Sequence, residues 1–106
     1  VKKTGRLIVL DTGFTTGSVA GEIIAKISIE KFSYIKFAPI RLAMPDIPEP
    51  TSPALTKNLY ISSINIVESV LKVLNKKVAF NKEKLEKDLN YPKYHDIPGK
   101  NFEEPF

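Results

Sequence analysis

The 106-residue chain contains no cysteine and no tryptophan, and it has a single histidine. Without cysteine there can be no disulfide framework, no thiolate metal site and no cysteine nucleophile. The one histidine, His95, has no second histidine and no nearby acid cluster with which to form a metal site or a nucleophile–base pair. We therefore interpret His95 as a surface or packing residue.

Long apolar runs are also missing. No stretch approaches the roughly 20 residues needed to cross a bilayer, and the start lacks the apolar segment of a secretory signal. The hydrophobic fraction of 42% is ordinary for one small globular domain with a thin core. These features predict a cytoplasmic protein with no membrane partner.

The charge is unevenly distributed along the chain. Residues 1–80 carry 11 Lys and Arg against 6 Asp and Glu, whereas residues 81–106 carry 5 against 6. The lysines are scattered, and no aromatic residues lie among them to stack on bases. We therefore expect a solvated basic surface rather than a nucleic-acid partner.

An unbroken apolar run at residues 7–10 lies between Gly-Arg and Asp-Thr-Gly. Such a run is typical of a strand covered on both faces in a parallel sheet, and we predict it at residues 6–11. A second short strand is predicted at residues 39–44, where Pro45 ends it. The lead-in at residues 1–5 resembles the last turn of a helix that stops at a left-handed Gly5.

Two amphipathic helices are predicted, at residues 18–32 and 62–75. The first is expected to bury Val19, Ile23, Ile24, Ile27 and Phe32. The second is expected to bury Ile66, Val67, Val70, Leu71 and Leu74. Between the helices, prolines at 45, 48, 50 and 53 predict a stiff, extended loop.

The end of the chain is predicted to be a short charged helix at residues 81–89 and an irregular extension at 90–106. This extension contains the aromatic residues Tyr91, Tyr94, Phe102 and Phe106. Because such side chains need a surface to cover, we expect the extension to lie on the domain body or on a neighbouring subunit; the alternative is a disordered end. The acidic pair Glu103 and Glu104 is expected to be solvated.

Gly13, Gly17 and Gly21 follow the first strand and open the first helix, where exposed amides could bind a phosphate. Their spacing is neither that of a dinucleotide fingerprint nor that of a Walker loop. The alternative is a tight turn with close helix packing at Gly21. Asp11, at the carboxyl edge of the sheet, is interpreted as a turn former rather than a catalyst.

Three phrases in register carry a family resemblance: GRLIVLDTGFTTGSVAGEI at 5–23, APIRLAMPDIPEPTSPAL at 38–55 and YISSINIVESVLKVL at 60–74. They resemble the C-terminal domain of transketolase-like enzymes, most closely the β subunit of the E1 component of 2-oxo-acid (pyruvate, acetoin or branched-chain) dehydrogenases. Thr12, Phe14, Thr15 and Ser18 depart from the usual family segment.

The resemblance implies an α/β fold, a three-layer α/β/α Rossmann-like sheet that is truncated at its N-terminal side. Residues 1–78 would be the second half of that domain, and residues 79–106 an extension packing on the body or a partner. Two strands alone would leave open sheet edges, so we expect further chain or a partner to complete the sheet.

By the same resemblance, the domain would assemble a thiamine-diphosphate-dependent enzyme that decarboxylates a 2-oxo acid and passes the acyl group to lipoyl-E2. The catalytic elements, thiamine diphosphate and magnesium would lie elsewhere, so the resemblance implies no catalytic, cofactor-binding or metal-binding residue in this chain. This segment alone would be inactive. The implied partners are the rest of the β subunit, an E1 α subunit, a second β subunit and E2, although a basic surface here would disfavour E2 docking. The alternatives are a transketolase or deoxyxylulose-phosphate synthase C-terminal domain, and a stand-alone nucleotide-binding or interaction module.

Overall fold

The structure is a computed structural model that describes residues 1–56 and 59–89. The predictions for His95, for the acidic pair Glu103 and Glu104 and for the aromatic extension at 90–106 lie outside the described residues. The other predicted elements can be compared with the structure directly.

A parallel pair of strands forms the centre of the described fold. Strand β1 (Ile8–Phe14) leads into helix α1 (Val19–Lys31), and a 3-10 turn (Phe32–Tyr34) returns the chain to strand β2 (Ile40–Met44). Ile8 pairs with Ile40 and Leu10 with Leu42, and a bulge before Phe14 shifts the register. Helix α1 contacts both strands, and helix α3 (Ser63–Val73) contacts β2. This sheet with flanking helices is the predicted α/β arrangement.

The prediction for the first strand was wrong in its bounds and in its burial. The strand starts at Ile8 and continues past Asp11 to Phe14. Leu10 and Phe14 are exposed, so the strand is not covered on both faces. The physical reason is that residues 10, 12 and 14 share one face of the strand, and the described residues leave that face exposed.

Helix α1 begins as predicted but buries a different face. Ser18 caps it, since its side chain accepts from the Gly21 amide. Ala20 is buried, whereas Val19, Ile23 and Phe32, all predicted to be inside, are exposed, Phe32 at 78%. The sheet of the described residues has two strands, so it covers only part of the helix surface, and the apolar side chains beside Ala20 stay exposed.

Helix α3 has well-formed ends. Ser62 and Asn65 form a capping box at its start. At its end Asn75 has a φ of 51°, and the Lys76 amide donates to the Leu71 carbonyl at 3.0 Å, the pattern of a Schellman motif. The prediction of its buried stripe was wrong at Val70 and Leu74, which are exposed, because Val73 is the residue that faces inward, at 4% exposure.

Two further helices complete the described elements. Helix α2 (Pro53–Thr56) was not predicted; it starts at the last proline of the loop, a residue that suits the first helical position. Helix α4 (Lys82–Asp88) lies within the charged helix predicted for 81–89 and is capped by Asn81. Neither described stretch of the chain contains a helix long and apolar enough to traverse a membrane.

Candidate functional site

The candidate site is the turn between β1 and α1, at the edge where α/β sheets place ligands. Residues 15–18 form the turn, and Gly17 has a φ of +72°, a conformation that an L side chain rarely adopts. Ser18 then caps α1. Residues 15–18 thus form a tight connection from the strand to the helix. Whether this turn can bind a ligand depends on which acceptors its backbone amides already have.

Asp11 binds two of these amides. Its Oδ1 accepts from the Gly13 amide at 2.9 Å, and its Oδ2 accepts from the Ala20 amide at 3.0 Å. The hydrogen bond from Gly13, followed by that from Ala20, lowers the pKa of the Asp11 carboxyl below its ordinary value. Asp11 therefore joins the end of β1 to the start of α1, which confirms its interpretation as a turn former.

Asp46 holds the same turn from the other side. The Thr16 amide donates to its Oδ1 at 2.8 Å, and the Thr16 hydroxyl donates to its Oδ2 at 2.7 Å. The hydrogen bond from the Thr16 amide is the main cause of the lowered pKa of Asp46, and the positive charge of Arg41 lowers it further. This role of Asp46 was not predicted from the sequence, where its only signal is an acid directly after Pro45, the residue that ends the strand.

Thr15 fixes the turn to the end of β2. Its amide and its hydroxyl both donate to the Met44 carbonyl, at 2.7 Å and 2.8 Å. The amides of residues 13, 15, 16, 20 and 21 thus all have acceptors within the chain. A phosphate would have to displace two carboxylates to reach these amides, so the geometry favours the tight-turn interpretation over a phosphate cradle.

Gly21 lies where α1 crosses the neighbouring strand. A Cβ built on it would be 3.0 Å from Nη1 of Arg41 on β2, closer than ordinary contact. That atom is the far end of an exposed, flexible side chain that can move aside, so close packing of the helix at Gly21 stays a prediction. The Arg41 guanidinium fills the space that a side chain at 21 would need.

The described part of the chain offers little else for chemistry. Within residues 1–56 and 59–89, no group of three or more His, Cys, Asp or Glu side chains is placed to hold a metal ion. Asp11 and Asp46, the two carboxylates of the turn, both accept hydrogen bonds from the backbone. These hydrogen bonds hold the start of α1 at the edge of the sheet, and they stabilise the ionised form of the two carboxylates. Both effects are structural.

Comparison with known proteins matches residues 1–66 to the family described as transketolase, C-terminal domain. The chain is 50% identical over 50 residues to the pyruvate dehydrogenase E1 component subunit beta of Mycoplasma pneumoniae, covering 47% of the chain and 15% of that protein. The proteins of the same name from Gracilaria tenuistipitata var. liui and Rhizobium meliloti are 33% and 32% identical. These two alignments cover 68% and 72% of the chain but 22% and 16% of the relatives.

The chain thus spans less than a quarter of the length of these curated relatives. No solved structure matched it. The family match covers well over half of the chain and includes both strands, α1 and the turn between them. The chain belongs to the transketolase C-terminal domain family.

Proposed function

We propose that this chain is the C-terminal assembly domain of the β subunit of a thiamine-diphosphate-dependent 2-oxo-acid dehydrogenase E1 component, a cytoplasmic enzyme. The single observation that carries the proposal is the collinear similarity to pyruvate dehydrogenase E1 β subunits, which runs over about 70% of the chain in two relatives. In that enzyme the 2-oxo acid would be decarboxylated and its acyl group passed to a lipoyl group on E2. This domain would hold subunits together and would be inactive alone.

The residues of the turn do not fit the cofactor. A diphosphate needs free amide donors and its magnesium needs oxygen ligands. Here the carboxylates of Asp11 and Asp46 already accept hydrogen bonds from the amides of Gly13, Ala20 and Thr16. This supports placing thiamine diphosphate in the rest of the enzyme, and no chemical step is assigned to these residues.

The proline-rich loop at 45–52 and helix α3 are the proposed subunit interface. Ile47 in the loop and Leu55 in α2 are exposed apolar side chains, and the prolines at 45, 48 and 50 limit the entropy lost when the loop is covered. Val70 and Leu74 expose apolar area on α3. A stiff loop with exposed apolar side chains suits a surface that another chain covers.

We also propose the division into a domain body at 1–78 and an extension at 79–106. The described start of the extension contacts the body, because Lys82 of α4 donates to Oε1 of Glu68 on α3 at 2.5 Å. The pair is exposed and contributes little to stability, about 0–1 kcal/mol. It supports an extension that begins by packing on the body.

Co-expression of the complete protein that carries these residues with an E1 α subunit tests the assembly role. We expect a stable complex in size-exclusion chromatography with light scattering, and decarboxylation of pyruvate or another 2-oxo acid that requires both chains and thiamine diphosphate. Ile47→Asp places a charge in the proposed interface and should lower the assembled fraction. Ile29→Asp, the same change at an exposed isoleucine of α1, is the matched control.

Three results would contradict the proposal. One is no association with any E1 α subunit, and another is ketol transfer between sugar phosphates, which would favour a transketolase. The third is an equal loss of assembly in Ile47→Asp and Ile29→Asp, because the loop would then have no particular role.

A further inference from the structure

The proline-rich loop at 45–52 is tied to the rest of the domain close to its start, through Asp46. Oδ1 of Asp46 accepts from the Thr16 amide at 2.8 Å, and Oδ2 accepts from the Thr16 hydroxyl at 2.7 Å. Two positions earlier, the Met44 carbonyl accepts from the amide and the hydroxyl of Thr15. The turn between β1 and α1 therefore holds the start of the loop at two points.

Beyond Asp46 the loop has few other restraints. The Ile47 amide donates to the Pro45 carbonyl at 2.8 Å, which closes a tight turn directly after the anchor. Residues 48–51 form no hydrogen bond with the rest of the described chain. The two prolines of this stretch have fixed φ angles, so the direction that is set at Asp46 is carried along the loop.

Ile47 is the apolar side chain that depends most directly on this anchor. It follows Asp46 in the chain and is 49% exposed. Because its neighbour is fixed and the segment has few free backbone angles, its side chain is presented in a narrow range of directions. An interface side chain that is held in this way loses less entropy when a partner covers it.

We propose that Asp46 is a positioning residue for subunit assembly. Through Thr16 it fixes the direction in which the loop leaves β2, and so it presents Ile47 to the E1 α subunit. This inference rests on the proposed function, in which another chain covers the loop, and it adds the residue that prepares this surface before the subunits meet. Without the anchor, only a fraction of the molecules would hold the loop correctly, and the apparent affinity would fall by that fraction.

Isothermal titration calorimetry of the complete protein with a purified E1 α subunit tests this role. Asp46→Ala removes both acceptors of Thr16 and should weaken the association on the order of tenfold, which corresponds to about a tenth of the loops being correctly placed. Asp46→Asn removes the same charge but keeps an oxygen for the Thr16 amide, so its affinity should stay within about threefold of the unsubstituted protein. In the free protein, hydrogen exchange at the Thr16 and Ile47 amides should be faster in Asp46→Ala.

Asp11→Ala is the matched control for a loss of stability. Asp11 also accepts two hydrogen bonds in this turn, but they come from the amides of Gly13 and Ala20, and neither residue is bonded to the loop. Asp11→Ala should lower the midpoint of thermal unfolding by an amount similar to that of Asp46→Ala, yet leave the affinity for E1 α within about twofold. A double-mutant cycle gives a second check. Thr16→Val should add little to the loss of affinity in Asp46→Ala, because both substitutions act on one contact.

The outcomes separate the positioning role from the proposed function. Equal losses of affinity in Asp46→Ala and Asp11→Ala, equal losses in Asp46→Ala and Asp46→Asn, or full additivity of Asp46→Ala with Thr16→Val would each overturn the positioning role. Loss of association in Ile47→Asp together with unchanged affinity in Asp46→Ala would also overturn it, but would leave the proposed function standing. Absent association of the unsubstituted protein with E1 α would overturn both.

Discussion

Arg6 and Val73 are 67 positions apart, and Nε of Arg6 donates a 2.6 Å hydrogen bond to the Val73 carbonyl. Helix α3 ends here, where the last carbonyls of a helix lack partners within the helix. A guanidinium at this end both satisfies a carbonyl and complements the negative end of the helix dipole. The contact joins the segment before β1 to the helix that packs on β2.

Replacing Arg6 should therefore loosen the attachment of α3. Arg6→Met keeps most of the aliphatic stem but removes the donor, and we expect the free energy of unfolding to fall by about 1 kcal/mol. Urea unfolding followed by circular dichroism measures this change as a lower midpoint at an unchanged slope. Lys3→Met removes one charge from an exposed neighbouring position and serves as the control. Equal effects of the two substitutions would mean that net charge, and not the Val73 contact, is responsible.

Gly5 and Gly17 form a matched pair for a second prediction. Their φ angles are +69° and +72°, but a Cβ on Gly5 would lie 2.7 Å from Cγ of Lys36, whereas one on Gly17 would meet no atom within 4 Å. We expect Gly17→Ala to cost about 1–2 kcal/mol from backbone strain alone. Gly5→Ala should cost a further 1–3 kcal/mol, roughly, from overpacking. Thermal unfolding of the two variants compares them, and a smaller loss at Gly5 would contradict the packing argument.

Helix α1 illustrates how far the sequence predicts the fold. The cap at Ser18 and the end near Phe32 are local signals, and the helix lies within one residue of its predicted bounds. Its buried face is a tertiary property. Periodicity indicates that one side is apolar, but the residue that is buried is Ala20, whereas Val19 and Ile23 are exposed. The same limit explains why Val73, and not Val70, is buried on α3.

The site shows the same division between local and distant contacts. Asp11 binds the amides of residues two and nine positions away. Its role as a turn former could be predicted from the sequence, because the acid follows the apolar run of the strand and a glycine comes two positions after it. Asp46 binds Thr16 across 30 positions. That contact depends on the parallel pairing of β1 and β2, which no local pattern specifies.

The capping box of α3 provides a third prediction. The Asn65 amide donates to Oγ of Ser62, and the Ser62 amide donates to Oδ1 of Asn65 at 2.8 Å. Ser62→Ala should lower the free energy of unfolding by about 1 kcal/mol, because an amide of the first turn loses its acceptor. Ser62→Asp keeps an acceptor there and should cost much less, which makes it the control. In a double-mutant cycle, Ser62→Ala and Asn65→Ala should be less than additive, and full additivity would argue against the box.

The turn between β1 and α1 should make the protein less stable in acid. The hydrogen bond from Gly13 for Asp11, and that from Thr16 for Asp46, lower the pKa of each carboxyl in the folded state below its ordinary value of 3.8. The unfolded chain therefore takes up protons at a higher pH than the folded chain does. The stabilisation is fully present above this value and is lost as the pH falls through the folded-state pKa.

Thermal unfolding measured from about pH 6 to about pH 2.5 checks this expectation. The midpoint should decrease as the solution becomes more acidic. The decrease should be shallower in Asp11→Asn and in Asp46→Asn, because each variant lacks one of the two titrating carboxyls. Asp88→Asn, the same substitution on exposed α4, controls for the loss of a negative charge and should keep the steeper decrease. If all three variants retained that decrease, other carboxyl groups would account for the acid sensitivity, and the two aspartates would not be what ties α1 to the sheet.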